Sequence, residues 1–372
     1  MVDIEKNIRL ENAIKKLFSL DTNNYIFIYT PPKVGSTTLV TSLRVSLCKS
    51  YNIIHIHDDI MLRMLTDIKD VTINEIIYYL GEQRKNVFVI DVYRTPIERK
   101  MSAYFEKLSS IHFNNTEDKI NNYKLERIVT RFNKLYPHLS IADHYFEYFD
   151  IKDPIPFDFE KKYTVQIINN IKFIKLRLID SNSWNIFLSD ILNTEIVLVN
   201  DYQTDKKELG TLYKKFKEEY RLPQNFFEEI KNCKYFNFYY SEEERNVYLA
   251  SWENKLCAPI SPYTKEEYEL YMTISLENQV NFDIQFEHYI DNGCLCKGCS
   301  NKRKEIFFKA KEGKPITEKI IHTEVVNSII NEKNQKIIAF CKYIGDINKK
   351  NIKHKNQTKF GKKFGINTRL DN

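Results

Sequence analysis

The chain of 372 residues is poor in the residues that punctuate a backbone, with 9 Gly and 10 Pro. That excludes a collagen-like repeat and a Pro/Gly linker protein. It also lacks a strong excess of either charge: 56 Lys plus Arg stand against 50 Asp plus Glu, a net +6. So small an excess fits a protein that handles a small anion or a polyanion but falls short of a dedicated nucleic-acid coat, which makes nucleic acid an unexpected partner. No stretch approaches ~18 apolar residues without a charge, so no membrane-spanning helix is expected. The first residues, MVDIEKNIRLENAIKKLF, place Asp3 and Glu5 where a secretory signal needs basic and then apolar residues. Seven Cys, scattered apart from one cluster, favour reduced thiols and a cytoplasmic location.

What is abundant is core-forming material. Hydrophobic residues make up 42% and aromatics 13%, with 24 Tyr and 24 Phe, too many for a disordered chain. Residues 4–20 have helical spacing. YIFIYT at 25–30 reads as a buried strand, PPKVGSTT follows, and LVTSLRVSL returns to helical periodicity. A second strand starts at Asn52, a helical segment runs from Thr72 to Gly81, and a third strand, NVFVIDVY, spans 86–93. Pro96 then opens a helix. Residues 171–180 and 195–199 read as two further strands with a helix between them, and 205–256 reads as helical with a break at Pro223. Strands alternating with helices predict an α/β protein with a central parallel sheet flanked by helices. The composition changes after Pro259 and Pro262, which predicts a boundary near 257 and a mainly helical C-terminal extension.

Pro32-Lys33-Val34-Gly35-Ser36-Thr37-Thr38, between a buried strand and a helix, is the sharpest local signal. Unpaired N–H groups at a helix start attract phosphate, and Gly35 lets the backbone approach it closely. Ser36, Thr37 and Thr38 add hydroxyls and Lys33 a full charge. An ordinary capped strand-to-helix turn would use the same Ser and Thr. The loop is not a nucleotide-hydrolase loop, because Lys33 precedes Gly35 and no Lys stands before Ser36. Nor is it a dinucleotide fingerprint, since Gly35 is its single Gly.

The second signal is Arg94, at the carboxyl end of a strand where open α/β sheets place ligands, with Ser102 eight residues on. A planar guanidinium and a hydroxyl can grip one phosphate from two sides. PKVGSTT after one strand, together with R-x-P-x-x-R-x-x-S-A-Y (94–104) after a later one, resembles the PAPS-dependent sulfotransferases. The second motif is closest to their carbohydrate members, of the heparan/chondroitin uronyl 2-O type. PAPS is 3′-phosphoadenosine 5′-phosphosulfate, the sulfuryl donor, and PAP is its product. The resemblance implies a P-loop-like fold in which Lys33, Gly35, Ser36, Thr37 and Thr38 hold the 5′-phosphosulfate. Arg94 and Ser102 would hold the 3′-phosphate. It further implies a hydroxyl acceptor, here a glycan. A looser likeness runs through LRLIDSNSW, VNDYQTDKK and YYSEEERNVYLASW to about residue 256. Residues 1–256 are thus expected to form the catalytic domain, 257–347 a helical extension, and 348–372 a basic tail without order.

Sulfuryl transfer by in-line displacement needs positive charge at the departing phosphate, for which Lys33 is suited, and no catalytic metal. It also needs a base for the acceptor hydroxyl. In Asn52-Ile53-Ile54-His55-Ile56-His57 strand alternation puts His55 and His57 on one face. His57, nearer the carboxyl end, is the first candidate, His55 the second, with Asp58 and Asp59 behind them. The uronyl 2-O type likewise carries a His-x-His on a corresponding strand.

Cys294, Cys296 and Cys299 in a Gly-containing turn have half of a zinc pattern, with His288, Cys257, His322 or Cys341 as a fourth ligand. Such zinc would be structural; the alternative is three reduced thiols. The tail KKNIKHKNQTKFGKK at 349–363 is expected to be solvated, with polyanion binding as the competing use. Two other functions compete with sulfuryl transfer: a kinase-like nucleotide-dependent transferase, and a non-catalytic protein that holds a nucleotide or polyanion.

Overall fold

A computed structural model describes residues 2–113, 115–135, 137–141, 143–149, 151–199 and 208–277, and single turns at 304–305, 308–309 and 312. Cys294, Cys296 and Cys299, the basic tail, and the other ligand candidates His288, His322 and Cys341 lie outside the described residues.

The chain runs α1 (Val2–Leu17), β1 (Asn24–Tyr29), α2 (Ser36–Leu47), β2 (Asn52–Ile56), α3 (Asp59–Thr66), α4 (Ile73–Glu82), β3 (Asn86–Tyr93) and α5 (Pro96–Glu106). There follow α6 (Glu117–Ile120), α7 (Leu125–Lys134), α8 (His144–Glu147), β4 (Tyr163–Ile168), β5 (Ile171–Arg177) and α9 (Trp184–Leu192). The remainder is α10 (Gly210–Glu219), β6 (Leu222–Pro223), α11 (Gln224–Lys231), α12 (Lys234–Tyr239), α13 (Glu242–Glu253), β7 (Leu256–Cys257) and α14 (Lys265–Glu277). No helix among the described residues is long and apolar enough to cross a membrane. The residues fall in two compact units. Up to Arg94, and from Asp143 to Val199, they belong to the first; Thr95–Ile141 and Glu208–Glu277 belong to the second.

The first unit is an α/β layer structure around a five-stranded sheet of order β2-β1-β3-β5-β4. Alternate residues of each strand face opposite layers. Tyr25, Phe27 and Tyr29 of β1 and Val87 and Val89 of β3 pack with α1, α3 and α4. Ile26, Ile28, Phe88, Ile90 and Val92 pack with Leu39, Val40 and Leu43 of α2 and Trp184 and Leu188 of α9. Burial on both faces is what makes these strands read as continuous apolar runs.

Two expectations need correction. The sheet is mixed, because β4 runs antiparallel to β5. A two-residue turn joins them at Asn169 and Asn170, with φ of 49° and 65°. Asn tolerates this left-handed backbone, and a tight turn of that kind returns the chain antiparallel. The signal was two β-branched runs flanking Asn-Asn, weakened because β4 is an edge strand only partly buried. Residues 195–199, expected as a strand, join no sheet. Instead the N–H groups of Val197 and Val199 donate to the hydroxyls of Ser46 (3.1 Å) and Ser42 (2.8 Å) on α2. Side chains satisfy the backbone that a ladder would otherwise have paired.

The second unit is mainly helical. Its centre is a run of aromatic contacts: Tyr104 with Phe132 at 5.2 Å, Phe132 edge-on with Phe216 at 5.3 Å, and Phe105 with Tyr213 at 4.9 Å between ring centres. A π-helical turn, Leu108–Phe113, follows α5.

Candidate functional site

In the first unit β1 pairs with β2 on one side and β3 on the other, all parallel. The chain leaves β1 for α2, which packs on one face, and reaches β3 through α4, which packs on the other. The sheet order therefore reverses between the carboxyl ends of β1 and β3. Such a switch point is where open α/β sheets leave a crevice for ligands.

The loop Pro32–Thr38 lies at that point, between β1 and α2. Gly35 is the cap of α2 and takes φ 86°. A Cβ there would stand 2.8 Å from Leu178 Cδ1 and 3.0 Å from Trp184 Cη2, so only glycine fits. No side chain caps the first turn of α2 and no carboxylate stands in it. The positive end of the helix dipole there is thus met by no capping side chain and no carboxylate of that turn, which suits an anion. Ser36 is buried, while Thr37 and Thr38 are partly exposed beside it. Lys33 also takes a left-handed backbone, φ 70°. For a residue with a Cβ that costs about 1 kcal/mol or more, held in place by its surroundings.

One of those surroundings is Arg94, whose Nη1–H donates to the Lys33 carbonyl at 2.8 Å. The guanidinium predicted to bind phosphate thus also braces the loop Pro32–Thr38, and four of its five N–H donors are not used in that bond. Ser102 belongs to α5 in the second unit, where it is 5% exposed.

His55 and His57 come together as strand alternation requires, ring centres 4.5 Å apart and nearly perpendicular. His55 is buried and His57 is half-buried. His57 Nδ1 lies 2.7 Å from the Thr30 carbonyl. A carbonyl only accepts, so Nδ1 carries the hydrogen and Nε2 is the basic nitrogen. Asp58 and Asp59 have structural duties instead. Asp58 caps α3 by accepting from Met61 N–H at 2.7 Å, and Asp59 accepts from Ile73 N–H at 2.8 Å.

Three features escaped the sequence reading. Thr30, immediately before the loop, is 0% exposed and its hydroxyl oxygen has no hydrogen-bond partner among the described residues. A buried unsatisfied hydroxyl is costly, so Thr30 is an exception to the usual pairing of buried polar groups. Its sequence signal was a polar residue ending an apolar strand.

The second feature is a wholly buried ion cluster. Lys175 Nζ stands 2.6 Å from Asp91 Oδ2 and 2.6 Å from Asp143 Oδ2, with exposures of 0%, 0% and 2%. Asp91 and Lys175 are register partners on β3 and β5, three residues or fewer from the strand ends. The third is Arg177 Nε, 2.7 Å from Asp180 Oδ2, with its carbonyl accepting from Trp184 Nε1 at 3.2 Å. That bond fixes the indole packed against Gly35. No protein-family model, curated protein or solved structure matches the chain.

Proposed function

We propose that this protein is a sulfotransferase with a P-loop-like donor site. It moves a sulfuryl group from PAPS to the hydroxyl of an acceptor, on a carbohydrate. The observation that carries the reading is the hydrogen bond from Arg94 to the Lys33 carbonyl. It joins the two motifs at the sheet's switch point, on a helix start with neither side-chain cap nor carboxylate. A donor with a phosphate at each end of its nucleoside needs two anion sites of this kind.

In the transfer the acceptor oxygen forms a bond to sulfur as the bond from sulfur to the bridging phosphate oxygen breaks. PAP leaves with that electron pair. Lys33 and the N–H groups of Ser36, Thr37 and Thr38 neutralise the charge that grows on it. The acceptor's proton passes to His57 Nε2, with the Thr30 carbonyl holding the ring in the required tautomer. Arg94 and Ser102 take the 3′-phosphate, by the resemblance of their motif. No metal enters these steps.

A kinase-like use of the loop is disfavoured because no Lys precedes Ser36 to reach a terminal phosphate. Thermal shift with PAP against ATP plus magnesium tests the reading. Stabilisation by PAP is expected, and stabilisation by ATP alone overturns it. Transfer of radiolabelled sulfate from PAPS to glycans or phenols then separates an enzyme from a nucleotide-binding protein, since strong PAP binding without transfer favours the latter.

A further inference from the structure

We propose that the second unit carries an anion site of its own, seated on Lys100, which takes an oxyanion: the sulfate, phosphate or carboxylate group of a ligand. It is built from residues of the second unit alone and does not depend on sulfuryl transfer.

Lys100 lies on α5 and is 9% exposed. Its only contact of note among the described residues is the ring of Tyr268, whose centre is 5.5 Å from Nζ, and no hydrogen bond or ion pair reaches the ammonium. A ring face compensates a buried charge far less than a carboxylate does. The charges that act on it are of the same sign, Lys107 and Arg99. Burial first, then those two cations, push the Lys100 ammonium down to about 8. It therefore remains mostly charged at pH 7.

The groups around it are arranged for a ligand that brings negative charge. His112 is buried and held neutral, lowered by burial and then by Lys107, Lys100 and Arg131. Its Nδ1 pairs with the Tyr271 hydroxyl at 2.8 Å. His138 is 3% exposed and pushed down to about 3 by burial and then by Lys100. The Tyr220 hydroxyl donates to Asn133 Oδ1 at 2.9 Å, so at 3.3 Å it accepts from His138 Nε2–H. His138 Nδ1 thus keeps its lone pair, and it has no partner among the described residues. This region leaves one ammonium on a mostly buried side chain with no carboxylate beside it, and one buried neutral acceptor, His138 Nδ1, with no partner among the described residues. An ordinary core would leave neither, since buried charges are paired and buried polar atoms bonded. An oxyanion at Lys100 supplies the missing negative charge, and a hydroxyl next to it answers His138.

The test uses the full chain in a Lys33→Met background, so that the loop's lysine does not contribute. Inorganic sulfate, inorganic phosphate and glucuronate are titrated at pH 7 by calorimetry and thermal shift. Lys33→Met is expected to keep a saturable site that Lys33→Met/Lys100→Met loses, with at least a tenfold fall in affinity. Tighter binding of glucuronate than of sulfate identifies the source as a sugar-borne carboxylate; the reverse identifies a free tetrahedral anion. A Lys33→Met protein without a saturable site, or a Lys100→Met change that leaves affinity alone, overturns the proposal. Should the double variant fail to fold, Lys33→Met/Lys100→Arg takes its place: retention of the site with loss of the affinity fall above pH 8 is expected, and an unchanged pH profile overturns the proposal. Sulfate keeps its charge above pH 7, so its affinity should fall about tenfold per pH unit above 8 as Lys100 deprotonates. Affinity that stays flat from pH 7 to 9.5 overturns the proposal equally.

Discussion

Replacing Lys175 by Met should nearly unfold the first unit. The lysine is 0% exposed and bridges Asp91 and Asp143, each 2.6 Å from its Nζ. Met fills almost the same volume, so little cavity forms and the change is mainly electrostatic. Removing one member of a buried pair costs about 3–5 kcal/mol, because the remaining charge loses both water and partner. Here two carboxylates lose the ammonium between them, one on β3 and one just before α8, so the upper end, about 5 kcal/mol, is expected. That approaches the whole stability of many domains, about 5–15 kcal/mol. Urea unfolding followed by circular dichroism measures it as a fall in midpoint at constant slope. The companion protein Asp91→Asn/Asp143→Asn/Lys175→Met removes all three charges. It should recover most of the loss, since neutral replacement of buried ion clusters is often tolerated. A loss under about 1 kcal/mol for Lys175→Met would refute the assignment of charge burial as the dominant effect.

Gly35→Ala should destabilise by about 2–4 kcal/mol, combining a left-handed backbone for a residue with a Cβ and overpacking against the fixed indole of Trp184; urea unfolding within 0.5 kcal/mol of the parent would contradict this. Lys33→Gly should move the other way. It relieves a φ of 70° and stabilises the fold by a few tenths to about 1 kcal/mol, while PAP affinity falls at least tenfold. His57→Ala should abolish transfer with PAP affinity nearly unchanged, and full activity in that variant removes His57 from the mechanism. Lys100 sets a pH dependence. Its folded value of about 8 lies below the unfolded 10.5. The unfolded chain therefore binds more protons between those values, and this group makes stability rise with pH. From pH 8 to 9.5 the gain relative to Lys100→Met is about 1.6 kcal/mol, read from paired urea curves; parallel curves would exclude a buried charged lysine.

Much of the fold around the loop Pro32–Thr38 was legible in short stretches. Strand, loop and helix at 25–47 follow from a buried apolar run, one Gly and a return to helical spacing, all local signals. The pairing of His55 with His57 on one face follows from the two-residue period of a strand. Asp58 and Asp59 were harder to read. A carboxylate offered as a base is chemically identical to one that caps a helix, and only the Met61 and Ile73 N–H groups tell them apart. Lys100 drew no notice because a Lys on a helix is normally solvated, and burial depends on what packs over it.

The sequence alone determined which segments are buried on both faces, where the backbone must turn through Gly35, and which cations stand at strand ends. Those properties depend on a few neighbouring residues. Tertiary structure decided who meets whom. Asp91 and Lys175 are 84 residues apart in the chain, and Lys175 and Asp143 are 32 apart. The Thr30 carbonyl that sets the tautomer of His57 lies 27 residues before it. Strand order and direction create such meetings, and they arise from the summed packing of two layers on a sheet. Local periodicity reports that a strand is buried; it does not name the strand beside it.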